Sequence, residues 1–298
     1  MASRDKSKGK DKKKKKKERV AEPATSPTVG LALGGGGARG LAHIQVLEAL
    51  DELGIVPVSI TGSSIGALMG AGRASGLTGR EIREHTLATV GNRSEVINRL
   101  WKLRPANMRL GIRLGQFNLE RILRAFLPPA IPETFAELTI PLQVTATDYY
   151  GQKSEFIGEG ELFPALAASA AIPALFMPVV MNGRVMIDGG IFEPVPYDPL
   201  IGKADIVIGV DVVGAPEGDG VTIPNRIDSL FGASQLMMQS LIATKMKNNP
   251  PDILLRPDVN RFRVLDFMRA EEVLEASASI KDELKRFLDA EITFRQKT

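Results

Sequence analysis

Gly62-Ser63-Ser64-Ile65-Gly66 constrains this chain more than any other stretch. It lies between an extended apolar segment, Val56 to Ile60, and a helix-like one that begins at Ala67. Glycine on either side of a serine at such a junction permits a sharp strand–turn–helix bend, which lifts the serine Oγ clear of a sheet for attack. The pattern predicts Ser64 as a nucleophile, with Gly62 and Gly66 making the bend.

The histidines narrow what activates it. The chain has two, His43 and His85, and none follows residue 85. A triad in the order serine, acid, histidine cannot be assembled here, so a serine activated directly by a carboxylate is the economical design. Asp188 is the leading candidate, because it follows a strand-like Val185 to Ile187 and is trailed by Gly189 and Gly190, which permit close approach. A carboxylate with an ordinary pKa of about 4 is a poor base for a hydroxyl, so the site is expected to be partly desolvated. Asp148 and Asp211 also end strands and are the reserve acids; an Asp-Gly turn without chemistry is the plain alternative for Asp188. His43 reads as a structural histidine and His85 as a solvated one.

A second glycine run, Gly34 to Gly40, separates the strand Val29 to Leu33 from a helix over Leu41 to Leu53 that Gly54 ends. Gly35-x-Gly37-x-x-Gly40 fits a dinucleotide fingerprint, but that fingerprint wants an acid about 20 residues later, where this chain has Ile60 and Thr61. The competing reading is an oxyanion hole spanning Gly35, Gly36, Gly37, Ala38, Arg39 and Gly40, with the amides of Gly36, Gly37 and Ala38 as donors and Arg39 as a further cation. A tight turn with no ligand is the third.

Strand signals at Pro141 to Thr147, Ser154 to Ile157, Ile206 to Val212 and Ile253 to Leu255 alternate with helical ones at Leu162 to Ala171, Ser229 to Lys247 and Ala270 to Phe294. Alternation of this kind implies an α/β fold, a three-layer α/β/α sandwich with a central, mostly parallel sheet. The chain of 298 residues, 44% hydrophobic and 24% charged, suits one domain, 29–298, after a tail, 1–28. Residues 1–19 hold eleven Lys/Arg against three acids, so the tail's +8 exceeds the net +3 and the remainder is acidic at −5. Lacking apolar residues, the tail is expected to be disordered. It reads as a solubilising extension or as a basic segment suited to an anionic membrane surface, slightly ahead of nucleic acid. Residues 92–127 read as a helical cap, and Arg93 to Arg113 holds six Lys/Arg against one acid around Trp101.

Val20 to Thr28 carries Glu22, Pro23 and Pro27 and so offers no secretory core, and no apolar run reaches membrane-spanning length. The expected location is cytoplasmic, with peripheral membrane contact. Absence of cysteine excludes disulfides, zinc–thiolate sites and cysteine nucleophiles. No metal and no cofactor are expected.

Four ordered blocks resemble the patatin-like phospholipases, specifically the compact bacterial type. Gly35-Gly36-Gly37-Ala38-Arg39-Gly40 is similar to their oxyanion loop, Gly62 to Gly66 to their nucleophile elbow, and Asp188-Gly189-Gly190 to their catalytic-acid motif. The fourth, Ala168 to Pro178, is similar to a helix-to-loop segment that packs beside the active site, and Ala146-Thr147-Asp148 and Asp252 to Pro257 also look like family stretches. The chain departs from the family's usual residues at Gln45 and Glu193. Over Val29 to Leu288 the resemblance implies a Ser64–Asp188 dyad and metal-independent hydrolysis of acyl esters, often of phospholipids or lysophospholipids. An acyltransferase using the same acyl-enzyme and a non-catalytic lipid-binding protein are the rival functions.

Overall fold

Short all-apolar runs bounded by glycine build the centre of the molecule. The computed structural model describes residues 26–91, 96 and 118–297. Strand β1 (Val29–Leu33) is buried along its whole length and pairs in parallel with β2 (Ser59–Ser63) on one side and β7 (Ile206–Val210) on the other. β3 (Leu142–Asp148) extends the parallel set beyond β2, and β8 (Ile253–Leu255) extends it beyond β7. β4 (Lys153–Ile157) and β6 (Arg184–Asp188) both run antiparallel to β3, and β5 (Val179–Met181) runs antiparallel to β6. The eight-stranded order is β5-β6-β3-β2-β1-β7-β8, with β4 additionally on β3.

Side chains alternate across this sheet and divide the core in two. Leu31, Leu33, Ile206, Ile208 and Val210 enter the larger cluster, with α1 (His43–Glu52), α2 (Ile65–Ala74) and α8 (Ile280–Lys297). Ala32 and Val207 point the other way, onto Tyr197, Leu200 and Ile242 of α6 (Arg226–Asn248). Helices therefore cover both faces of a mixed sheet, as expected from the alternation of elements.

The boundaries follow local chemistry. Thr78 caps α3 (Gly79–Val90) through a reciprocal box with Glu81, and Asn118 caps α4 (Leu119–Phe126). Asn182 and Gly183, both at positive φ (51° and 72°), turn the β5–β6 hairpin, the conformation for which an Asn-Gly pair is suited. α5 (Leu162–Ser169) is apolar on almost every side and is buried between β3, β6 and α4.

Several expectations need correction. The strand leading to the elbow is Ser59–Ser63, not Val56 to Ile60; Val56 and Val58 are exposed, because parallel pairing with β1 begins only at Ser59. Ala270 to Phe294 is two helices, α7 (Ala270–Ala276) and α8, separated where the Ser277 hydroxyl donates back to the Val273 carbonyl. Thr28, assigned to the tail, is pinned to Asp205 by its amide and hydroxyl at 2.7 and 2.6 Å. The lysine-rich residues 1–25 and most of the expected cap, including Trp101, lie outside the described residues. The described end of that cap, α4, packs on α5 with Arg124 over the Phe163 ring and does not line the cavity at Ser64.

Candidate active site

The elbow is made by space as much as by conformation. A Cβ at Gly62 would lie 2.6 Å from the Ala67 Cα, and one at Gly66 would collide with the Leu33 carbonyl of the neighbouring strand. Between them Ser64 sits at φ 53°, ψ −123°, a region a side-chain-bearing residue occupies only under constraint. The constraint includes a buried hydrogen bond of 2.8 Å from the Ser64 amide to the Ser169 hydroxyl at the end of α5. Ser169 fell inside a recognised block, but nothing in its sequence context assigned it this contact.

Asp188 arrives from β6, which runs against β3 and places Asp188 opposite Ala146. Its amide donates to Ala171 and its carbonyl accepts from the Thr147 hydroxyl, so the backbone is fixed on both sides. Gly189 is required because a Cβ there would strike the Thr145 carbonyl. The carboxylate accepts from the Ser64 hydroxyl at 2.6 Å and from the Gly190 amide at 2.8 Å. Ser64 is 4% exposed and Asp188 8%. Burial drives the Asp188 pKa up to about 6 against the opposing pull of these two donors.

The glycine loop brings amides to the same place. Those of Gly34 and Gly35 donate to the Val210 and Pro194 carbonyls, and that of Ala38 donates to Val264 at 2.8 Å. The amides of Gly36 and Gly37 have no acceptor among the described residues, and both residues line the cavity with Ser64 and Asp188. Ala38 is therefore removed from the expected donor set, because the loop at Val264 covers it. Gly37 adopts φ +61°, and a side chain there would collide with the Val264 carbonyl. Gly40 serves packing, since a Cβ would drive into Ile65.

Arg39 lines the cavity, almost wholly buried, with Nε donating to the Gly36 carbonyl at 3.3 Å. Desolvation lowers its pKa to about 10, opposed by Asp211 and Asp266, so it is a cation at neutral pH. His43 is fully buried and donates from Nε2 to the Gly34 carbonyl at 2.8 Å. Its pKa is pushed down to about 4 by burial, so a neutral ring braces the glycine loop from the first turn of α1.

The other candidates lie elsewhere. His85 pairs with the Phe126 carbonyl and is not merely solvated. Asp148 accepts from the Gly151 amide and faces Arg184, and Asp211 accepts from the Val213 amide and Arg256. Glu193, the departure nearest the acid, is bound by Lys245 at 2.6 Å, with Lys245 also on Asp198 at 2.5 Å. Its charge is thereby opposed locally. Gln45 bridges the Leu274 carbonyl and Arg83 and stays clear of the dyad.

The cavity holds about 170 Å³ and is walled by apolar side chains, including Ile172, Leu230, Phe231, Met238 and Val264. Ser64, Asp188 and the amide-bearing residues Gly36 and Gly37 all face this one space. No helix among the described residues is long and apolar enough to cross a membrane.

A family model described as patatin-like phospholipase matches residues 31–201. An uncharacterised NTE family protein of Mycobacterium tuberculosis is 39% identical over 196 residues, which cover 65% of this chain and 52% of that relative. Lysophospholipase NTE1 of Yarrowia lipolytica is 26% identical over 286 residues, covering 84% of this chain and 19% of its own length. The chain thus spans about half the length of the first of these and a fifth of the second. Among solved structures, VipD from Legionella pneumophila is 15% identical with a TM-score of 0.49, over 90% of this chain and 68% of that one, a distant likeness only.

Proposed function

Because this chain belongs to the patatin-like phospholipase family, we propose that it is a serine lipid acyl hydrolase that cleaves phospholipid or lysophospholipid esters through an acyl-enzyme. The observation that carries the reading is the 2.6 Å hydrogen bond from Ser64 to a buried Asp188 beside two free backbone amides. The relative described as a lysophospholipase supports the substrate class.

Ser64 Oγ attacks the ester carbonyl carbon as its proton passes to Asp188 Oδ2. The carbonyl electron pair moves onto oxygen, and the Gly36 and Gly37 amides stabilise that oxyanion, with the Arg39 cation bound to the Gly36 carbonyl of the same loop. Collapse expels the alcohol, which leaves with the proton from Asp188. Water then attacks the acyl-enzyme, gives a proton to Asp188, and the fatty acid departs as Ser64 recovers its hydrogen. Desolvation raises the basicity of Asp188 toward what this transfer needs. The scheme uses no metal ion and no cofactor.

Release of p-nitrophenol from short- and medium-chain esters in EDTA tests the reading, with Ser64→Ala and Asp188→Asn as partners. Activity in the wild type alone supports a metal-independent dyad; equal activity in either variant removes it. Product analysis with a competing alcohol separates hydrolysis from acyl transfer.

A further inference from the structure

From Ser229 to Thr244, sixteen consecutive residues of α6 carry no charge. A surface helix ordinarily sets charged side chains opposite its buried stripe. Only Gly232, Gln235 and Ile242 of α6 are buried, and its outer side presents Leu230, Leu236 and Met237 at 52%, 60% and 63% exposure among alanine and serine. The segment leading into the helix adds Val221 and Ile223, both almost fully exposed.

This face is continuous with the mouth of the catalytic cavity. Leu230 belongs to both, and across the opening Ile191 lines the cavity while being 38% exposed. Single exposed apolar residues are ordinary, but a group of them around a cavity mouth marks an interaction surface. Its charge pattern also fits one occupant. Arg226 and Lys247 stand exposed at the two ends of α6 with no ion pair among the described residues, while Asp228 is tied to Asn225 at 2.6 Å; in the segment before the helix Asp219 turns back onto the Val221 and Thr222 amides, and Glu217 is an exposed acid six residues before Ile223. An uncharged middle with a cation at each end matches acyl chains bordered by phosphates.

We propose that the outer face of α6, with the segment before it, seats the protein on an aggregated lipid surface by apolar insertion. A second protein over Leu230 and Ile191 would close the cavity, whereas a lipid surface covers the same residues and supplies substrate. The proposal rests on the hydrolase reading for why the mouth must face lipid, but binding is measured separately from turnover.

The test is co-flotation of the full chain with phosphatidylcholine vesicles at about 0.5 M salt, where the Debye length is only about 4 Å and electrostatic attraction is screened. The wild type is expected to float. The Leu236→Glu/Met237→Glu double variant is expected to lose at least about tenfold in partitioning and keep soluble-ester turnover within about twofold. Leu236→Met/Met237→Leu is expected to float like wild type, which separates apolar docking from damage to the helix. A wild type that stays with the vesicle-free fraction, or a Glu variant that floats equally, overturns the proposal. So does a wild-type dimer in sedimentation that the Glu variant splits, since a second copy would then own the face. Flotation without ester turnover removes the hydrolase reading alone; turnover without flotation removes this one alone.

Discussion

Replacing Asp188 with asparagine is expected to stabilise the fold at neutral pH while abolishing turnover. The carboxyl titrates at about 6 in the folded protein against a reference of 3.8. A folded pKa above the unfolded one means that the native state holds the proton more tightly, so ionisation works against folding. Two pKa units correspond to about 3 kcal/mol, absent below pH about 4, growing between about 4 and 6, and constant above. Asparagine removes the charge and keeps the contacts, its Oδ1 accepting from Gly190 and its Nδ2 donating to Ser64 Oγ. Thermal melts at pH about 8 should place the variant roughly 5–10 °C above wild type, and at pH about 5 the gain should shrink to about half. Equal melting at pH about 8, or a gain that ignores pH, refutes the claim that Asp188 is held ionised against its surroundings.

Three further outcomes are expected. The kcat/KM for ester hydrolysis rises with pH and inflects near pH 6 as Asp188 ionises, with no further inflection from His43, which is neutral above about 4; a profile flat from about pH 5 to 8 contradicts the assignment. Gly37→Ala, placing a side chain against the Val264 carbonyl, lowers kcat by about 10²–10³ as one donor moves away, measured with circular dichroism to confirm folding. Ser169→Ala leaves the Ser64 amide without its acceptor and costs about 1–3 kcal/mol in urea denaturation together with a fall in kcat; unchanged values of both show that the elbow is held by its glycines alone.

Much of the site was legible because its chemistry demands particular residues. Glycines at 62 and 66 are imposed by backbone that passes too close for a Cβ; the absence of a later histidine points to a carboxylate, and the strand before Asp188 with the Gly189-Gly190 pair after it ranks that residue ahead of Asp148 and Asp211. β7 was readable from its unbroken apolar run, since a strand covered on both faces needs no polar side. The elbow strand was misplaced by three residues because Val56 and Val58 look like core, while the true strand includes the small residues of the motif itself. The β5–β6 hairpin was missed although Asn182-Gly183 carries its turn signal. Ala38 could not be separated from Gly36 and Gly37, because its acceptor, Val264, lies 226 residues away along the chain. Contacts of that separation, like the Ser169 hydroxyl on the Ser64 amide, leave no local pattern.

The floor of this cavity is largely backbone: the free amides of Gly36 and Gly37, the elbow packed under Leu33, and the turn after Asp188 pressed on Thr145. Drift in side-chain identity hardly reaches such a floor, since most changes there introduce a Cβ where none fits. The walls are different, for Leu230, Phe231, Met238 and Val264 come from one helix and one loop that the dyad does not touch through hydrogen bonds. A change of side chain in the walls therefore reshapes the cavity while leaving the Ser64–Asp188 hydrogen bond and the backbone floor in place.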